Sequence, residues 1–173
     1  PSNQDGSAGS VDELERIVVQ IRARWPKTRI VIRGDAGFCR EATMAWCETH
    51  NVRYVLGLAR NKRLQRALGK AIEEARAAHE RTGQAARRFR DFHYKTRKSW
   101  SRERRVIGKA EYLPGKANPH FVVTNLTARE ANAKRLYEQL YCARGDMENR
   151  IKEQQLGLFA DRTSTATMRA NQL

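Results

Sequence analysis

The first 60 residues alternate between helix-like and strand-like segments, and this alternation restricts the possible fold more than any other feature. Apolar residues at helical spacing predict a first helix over residues 11–25, with Ser10 as its N-cap and Pro26 at its end. A β-branched strand, a second helix and a second strand are predicted to follow, over residues 28–34, 40–50 and 52–59. Two strands connected by a helix are usually parallel, so this segment predicts an α/β fold with a parallel sheet.

The middle of the chain has a different pattern. A long, charged, alanine-rich helix is predicted over residues 62–81, and three strand-like segments follow it, over residues 88–94, 104–112 and 120–125. This pattern predicts a β-meander that leaves the α/β part and returns to it before a last long helix, over residues 131–155. We therefore divide the chain into the first part of a core, a mainly β insertion and the C-terminal part of the core, over residues 1–59, 60–125 and 126–173.

The charge balance favours a polyanionic partner. The 173 residues include 34 Lys and Arg against 19 Asp and Glu, which gives a formal net charge of +15. Nucleic acid is the commonest partner of such a protein. The sequence has no run of about 18 apolar residues of the kind that spans a membrane. The 3 cysteines have neither the spacing of a zinc motif nor that of a disulfide framework, and free thiols fit a reducing cytoplasm.

Asp35 is the first candidate functional residue. It follows a strand-like apolar run and stands between Gly34 and Gly37. Ligands of open α/β sheets gather at the carboxyl ends of strands, and glycines permit a tight exit of the chain there. The alternative is that Asp35 only caps the helix that follows.

Glu148 is the second candidate, on the predicted last helix. At about 100° per residue, one polar stripe of this helix contains Tyr141, Arg144, Glu148 and Lys152. This stripe borders an apolar stripe, which suits a site at the rim of a core. The alternative is an exposed helix in which Glu148 pairs with Arg144 and Lys152 at i,i+4 spacing. Two acids that meet on a basic protein suggest a magnesium site for cutting phosphodiesters.

Both acids stand in phrases that resemble motifs of a known family. Residues 33–38, Arg-Gly-Asp-Ala-Gly-Phe, resemble the second-aspartate motif of DDE transposases from bacterial insertion sequences. The spacing of Tyr141, Arg144 and Glu148 resembles the Tyr-Arg-Glu-Lys signature around the catalytic glutamate of that family. Residues 123–126, Val-Thr-Asn-Leu, strengthen the match. The resemblance covers nearly the whole chain, which looks like an internal part of the catalytic domain.

The resemblance implies an α/β fold with an RNase H-like core of the retroviral-integrase type and a β-rich insertion. It implies that Asp35 and Glu148 are catalytic ligands of Mg²⁺ or Mn²⁺, with two ions in the complete enzyme, and that Tyr141, Arg144 and Lys152 contact DNA phosphates. The implied reaction is metal-dependent cleavage of DNA at transposon ends and strand transfer into target DNA. The implied assembly is a homo-oligomer of the full-length protein in the bacterial cytoplasm, associated with the nucleoid and with no membrane partner.

The chain departs from the family pattern in two places. Gln155 stands where the signature has its lysine, and Lys152 on the same stripe is the candidate substitute. The family also has a first aspartate on a strand upstream of the opening helix, which neither Asp5 in a Gly/Ser-rich stretch nor Asp12 in a helix first turn resembles. We therefore expect an N-terminally incomplete core that is catalytically inert alone, because two carboxylates hold metal ions weakly without a third.

The segment of residues 81–109 contains 11 Lys and Arg, with aromatic residues between them. Basic side chains supply sequence-independent affinity for phosphates, and aromatic rings stack on unpaired bases. By resemblance to the family's β insertion, the candidate DNA contacts are Arg97, Lys98, Trp100 and Arg102. Phe89 and Phe92 are expected in the core of the meander instead. Asn125 ends a predicted strand, where it either lines the site or forms a turn.

Two other functions are compatible with the same sequence. A non-catalytic DNA-binding module from a decayed or domesticated element explains the positive charge equally well. Another RNase H-like nuclease, such as a resolvase or an RNA–DNA hybrid nuclease, hydrolyses its substrate without joining ends.

Overall fold

The computed structural model describes residues 9–143, which form an α/β structure around one mixed sheet. The helices are α1 (Ser10–Arg24), α2 (Glu41–Thr49), α3 (Lys62–Thr82) and the short α4 (Ala133–Arg135). The strands are β1 (Val31–Gly34), β2 (Arg53–Leu58), β3 (Ala86–Tyr94), β4 (Arg104–Leu113), β5 (Lys116–Ala117) and β6 (His120–Thr124). A 3₁₀ turn, Ala36–Phe38, follows β1, and a π-helical stretch, Leu136–Tyr141, continues α4.

The strand order in the described sheet is β1-β2-β6-β4-β3, with the two-residue β5 paired to β4. β1 and β2 are parallel, as the helix between them predicts. β6 pairs antiparallel with β2, and β4 pairs antiparallel with both β6 and β3. The strands expected to form a meander therefore extend the same sheet. β6 makes this continuity possible because it hydrogen-bonds to the side of β2 that β1 leaves open.

The two faces of the sheet bury different apolar clusters. On the first face, α1, α2 and α3 pack on alternate strand residues, which include Tyr54, Leu56, Val106 and Val123. On the second face, α4 and the π-helical stretch pack on the other set of alternating strand residues, which includes Val55, Ile107 and Val122. This alternation follows from the two-residue period of strands. Phe92 packs against the first cluster and Phe89 against the second, in agreement with their expected core positions.

α3 has well-defined ends and is the longest helix in the described region. The Asn61 side chain accepts a hydrogen bond from the Leu64 backbone N–H at 3.0 Å, which caps its first turn. Gly83 takes the left-handed conformation, with φ of 69°, directly after its last turn. Its buried side chains include Leu64 and Leu68, which belong to the first apolar cluster. None of the helices between residues 9 and 143 is long and apolar enough to cross a lipid bilayer.

Two expected helix details are wrong. Gly9 is the N-cap of α1, with no side-chain hydrogen bond, and Ser10 is already helical. The predicted last helix also does not run as a regular α-helix from residue 131. It starts as the three-residue α4 and widens into the π-helical stretch, so the assumption of 100° per residue fails there. Residues 144–155 of that prediction lie outside the described region.

Candidate active site

Asp35 lies directly after β1, at the carboxyl end of the parallel pair β1 and β2. Its Oδ1 accepts a hydrogen bond from the Gly37 backbone N–H at 2.8 Å and caps the 3₁₀ turn. The expected position of Asp35 at the strand end is confirmed, and its carboxylate caps the short 3₁₀ turn and not α2, whose N-cap is Arg40. The cap fixes the direction of the carboxylate without burying it, since Asp35 is exposed.

Arg33, two residues before Asp35, ties β1 to the π-helical stretch. Its Nη1 donates a hydrogen bond to the Leu140 carbonyl oxygen at 3.0 Å. The next residue in the chain is Tyr141, whose ring lies 5.5 Å from that of Tyr137, a buried residue of the second cluster. Arg33 and the aromatic pair thus hold Tyr141 on the same face of the sheet as Asp35.

Asp35 and Tyr141 line one cavity of about 460 Å³. The strand ends beside them contribute most of its walls. Its residues that carry polar side chains are Asp35, Arg60, Asn118, His120 and Tyr141. The structure therefore brings together a carboxylate, a guanidinium and a phenol, and the phenol lies more than 80 residues after the other two in sequence.

Gly57 of β2 allows this close arrangement. A Cβ atom at this position would lie 2.7 Å from the Tyr141 hydroxyl oxygen, 3.0 Å from the Ala36 nitrogen and 3.2 Å from the Asp35 carbonyl carbon. These distances are shorter than normal van der Waals contacts, so a side chain here would displace the Tyr141 hydroxyl or the Asp35 turn. The absence of a side chain is what lets Tyr141 approach the strand end.

Asn118 and His120, which line the cavity, belong to a chain of hydrogen bonds. Asn118 donates from Nδ2 to the Glu111 carboxylate at 2.9 Å, and its Oδ1 lies 3.1 Å from His120 Nε2. Since Oδ1 can only accept, Nε2 must carry the proton. Loss of water around the His120 ring, together with the positive charges of Lys109 and Arg60, lowers the pKa of this histidine. The nearby Glu111 carboxylate partly offsets this lowering of the pKa.

A sequence model of the family described as transposase DDE domain group 1 matches residues 1–173, the whole chain. The chain belongs to this transposase family. A search of curated proteins finds no match. Domains of this family generally use divalent metal ions and act on DNA, and both properties are consistent with a carboxylate at a strand end on a chain of net charge +15.

Among the side chains at the cavity of this transposase domain, Asp35 is suited to bind a divalent metal ion. The Asp35 carboxylate is a hard oxygen donor of the type that Mg²⁺ and Mn²⁺ prefer. Within residues 9–143, no three His, Cys, Asp or Glu side chains come together to hold a metal ion. Arg144, Glu148 and Lys152, which the sequence analysis predicts as a metal ligand and DNA contacts, lie outside the described residues.

The candidate DNA contacts of the β3–β4 loop have different environments. Arg97 and Lys98 are exposed. Arg102 is also exposed, and its Nη2 lies 3.0 Å from a carboxylate oxygen of Glu48. Trp100 is only 5% exposed, and its ring meets that of Tyr94 edge-on at 5.7 Å between centroids. This burial favours a role for Trp100 in supporting the loop over stacking on a base.

Many of the basic residues between positions 81 and 109 are paired inside this transposase domain. Arg104 is 4% exposed and donates to both Glu41 and Glu48 at 2.7 Å. Arg105 and Lys109 are also buried and pair with acids, at 2.6 Å from Asp91 and Glu111 respectively. Sequence reasoning missed these pairs, because the acids that pair with Arg104 come from α2, 63 and 56 residues earlier in the chain.

Asn125 belongs to the strand pairing and not to the cavity at Asp35. Its Oδ1 accepts from the Tyr54 backbone N–H at 2.9 Å, and its Nδ2 donates to the Val52 carbonyl oxygen at 2.8 Å. The neighbouring Thr124 hydroxyl donates to the Tyr54 carbonyl oxygen at 2.6 Å. The Val-Thr-Asn-Leu phrase thus fastens the end of β6 to β2.

Proposed function

We propose that this transposase domain contributes Asp35 and Glu148 to a Mg²⁺- or Mn²⁺-dependent site that cuts DNA at transposon ends and transfers the cut strands to target DNA. The observation that best supports the proposal is the shared cavity of Asp35 and Tyr141, since Tyr141 is the first residue of the second sequence motif. In this proposal the complete enzyme comes from a bacterial insertion sequence and acts as a homo-oligomer in the cytoplasm, at the nucleoid.

Each residue of the proposed site has a separate task. Two divalent ions, when bound, stabilise the charge that develops on the attacking and leaving oxygens during phosphoryl transfer. Asp35 is held in a fixed direction by the Gly37 N–H, so its carboxylate needs little reorganisation to act as a ligand. The proposed phosphate contacts are Tyr141, Arg144, Lys152, Arg97, Lys98 and Arg102.

The test measures metal and DNA binding by the 173-residue chain. Asp35→Asn and Glu148→Gln remove one charge each, and asparagine at position 35 retains an oxygen for the Gly37 N–H. We expect each variant to weaken Mn²⁺ binding, measured by calorimetry with a short DNA duplex present, by at least about tenfold, as is typical when a carboxylate ligand is lost. Asp12→Asn is the matched control, because it removes a carboxylate from the first turn of α1.

Three outcomes separate the proposal from its rivals. DNA binding with no change in metal affinity in either variant would favour the non-catalytic DNA-binding module. Metal-dependent hydrolysis without strand transfer by the complete enzyme would favour another type of nuclease. We expect the 173-residue chain to bind DNA without cutting it, because it offers two identified carboxylate ligands for two ions.

A further inference from the structure

We propose that Arg60 binds the DNA phosphate group that enters the cavity at Asp35. This inference rests on the proposed function and assigns a specific role to a residue outside both sequence motifs. Arg60 lies two residues after β2 and lines the same cavity as Asp35 and Tyr141. Its position is set by the end of β2, where Gly57 passes directly against the Asp35 turn.

Arg60 differs from the buried arginines of the domain in having no internal partner. Within residues 9–143, no carboxylate or hydrogen-bond acceptor pairs with its guanidinium. Arg104 and Arg105, in contrast, each pair with acids and are almost completely buried. Arg60 is exposed, so its donors are directed to solvent and are available to an external anion.

The carboxylate at the cavity explains why a guanidinium is useful there when a DNA phosphate group approaches. Of the described carboxylates, only Asp35 lines the cavity, and it repels an approaching phosphate. A guanidinium in the same cavity offsets this repulsion and offers paired donors that match a phosphate group. Arg60 and His120 line the same cavity, and burial and the charges of Lys109 and Arg60 lower the pKa of His120, while the charge of Glu111 raises it.

The hydrogen-bonded residues near Arg60 are already paired with one another. Glu111 accepts from Lys109, Arg87 and Asn118, so its carboxylate already has three donors. Asn118 in turn accepts from His120. A phosphate group is a complementary ligand for Arg60, because its oxygens accept the paired donors of a guanidinium.

The experiment measures the affinity of the 173-residue chain for a fluorescent 20-base-pair DNA duplex over a series of salt concentrations. We expect Arg60→Ala to weaken binding about fivefold to tenfold and to reduce the slope of log affinity against log salt by about 0.9, as one lost phosphate contact requires. Arg24→Ala is the matched control. It removes the same charge from the last turn of α1, which precedes the opposite end of β1, and we expect less than a twofold change.

A second readout locates the contact. The chain has 4 histidines, so the proton NMR signal of the His120 ring is readily assigned with a His120→Gln variant. We expect DNA to shift this signal in the unchanged chain and in Arg24→Ala, and to shift it much less in Arg60→Ala at the same DNA concentration.

The outcomes distinguish failure of this inference from failure of the proposed function. Equal losses in Arg60→Ala and Arg24→Ala, or an unchanged His120 shift in Arg60→Ala, would overturn the role of Arg60 while leaving DNA binding in place. If the unchanged chain does not bind DNA at all, both proposals are wrong. Arg60 is exposed, and we expect Arg60→Ala to keep the unfolding midpoint of the unchanged chain.

Discussion

Two regions of this domain hold charged side chains in opposite ways. Around Arg104, between β4 and α2, a buried guanidinium is enclosed by Glu41 and Glu48, and Trp100 covers it at 5.6 Å from the ring centroid. At the cavity beside β1, Asp35 and Arg60 are both exposed. Charged residues are thus buried within the fold in one region and exposed in the other, and burial separates the two regions where composition does not.

The charges around Arg104 depend on one another. Hydrogen bonds from Arg104 lower the pKa of Glu41. Burial raises the pKa of Glu48, but hydrogen bonds from Arg104 and Tyr54 outweigh this effect and lower the pKa overall. A buried ion pair of this kind adds little net stability over an apolar replacement, but removing one partner leaves an uncompensated charge. The region is therefore sensitive to single substitutions.

The largest expected effect is that of Arg104→Ala. This change removes the buried cation that Glu41 and Glu48 share and, among the described residues, leaves Glu48 with only the exposed Arg102 as a cationic partner, and we expect the free energy of unfolding to fall by about 3–5 kcal/mol. Chemical denaturation measures this fall in the free energy of unfolding. A variant that is already unfolded without denaturant, and so shows no unfolding transition, also agrees with the expectation. Arg102→Ala is the control: it removes a 62% exposed partner of Glu48, which costs about 1 kcal/mol at most. Similar losses in the two variants would remove the contrast between buried and exposed charges.

The second effect is the pH dependence caused by Glu111. Burial alone raises the pKa of this acid, but hydrogen bonds from Lys109, Arg87 and Asn118 outweigh it and lower the pKa to about 2. A lowered pKa stabilises the folded state above the usual value of 4.5, and this stability is lost as the pH falls from there towards 2. The contribution is on the order of 3 kcal/mol.

Denaturant midpoints between pH 5 and pH 2 measure this contribution. Glu111→Gln is expected to lower stability at pH 5 and to flatten the decline with falling pH. Glu74→Gln, an exposed change on α3, should leave the curve of the unchanged chain in place. A curve for Glu111→Gln that is parallel to that of the unchanged chain would mean that other acids cause the acid sensitivity.

The smallest effect concerns the steric fit between Gly57 and Tyr141 at the cavity. In Gly57→Ala the new methyl group meets the Tyr141 hydroxyl oxygen at 2.7 Å, so we expect a loss of about 1–3 kcal/mol from overpacking. Gly69→Ala is the opposite control, because this α3 glycine has no atom within 4 Å of an added Cβ. Alanine there should stabilise the helix by about 0.5–1 kcal/mol. If both substitutions stabilise the domain, Tyr141 does not need Gly57.

The sequence was sufficient for the elements that local patterns determine. The β1-α2-β2 unit and the strand-end position of Asp35 follow from periodicity and from the turn signals of two glycines. The pairing of β6 between β2 and β4 was not predictable, because strand order depends on contacts between distant segments. The same holds for the charges: the partners of Arg104 are separated from it by more than 50 residues, and no local pattern marks them.

In the candidate site, too, local motifs predicted some features, while contacts between distant segments determined the others. Asp35 and Tyr141 were predicted from motifs, but the cavity role of Gly57 became apparent only from its distance to Tyr141. Trp100 was selected as a DNA contact because aromatic residues among basic ones are typical of such surfaces. A loop without periodicity gives no signal of burial, and the ring proved to be enclosed by Tyr94 and Arg104.

The π-helical stretch Leu136–Tyr141 sets the direction of Tyr141 through the number of residues in each turn. A π turn holds one more residue than an α turn. If the stretch closed as a regular α-helix with all its residues kept, the side chains at its end would be rotated by about 100°. Tyr141 would then turn away from Gly57 although every residue kept its identity. Substitutions that favour regular α-helical turns in this stretch are therefore expected to change the cavity even where the substituted residue does not line it.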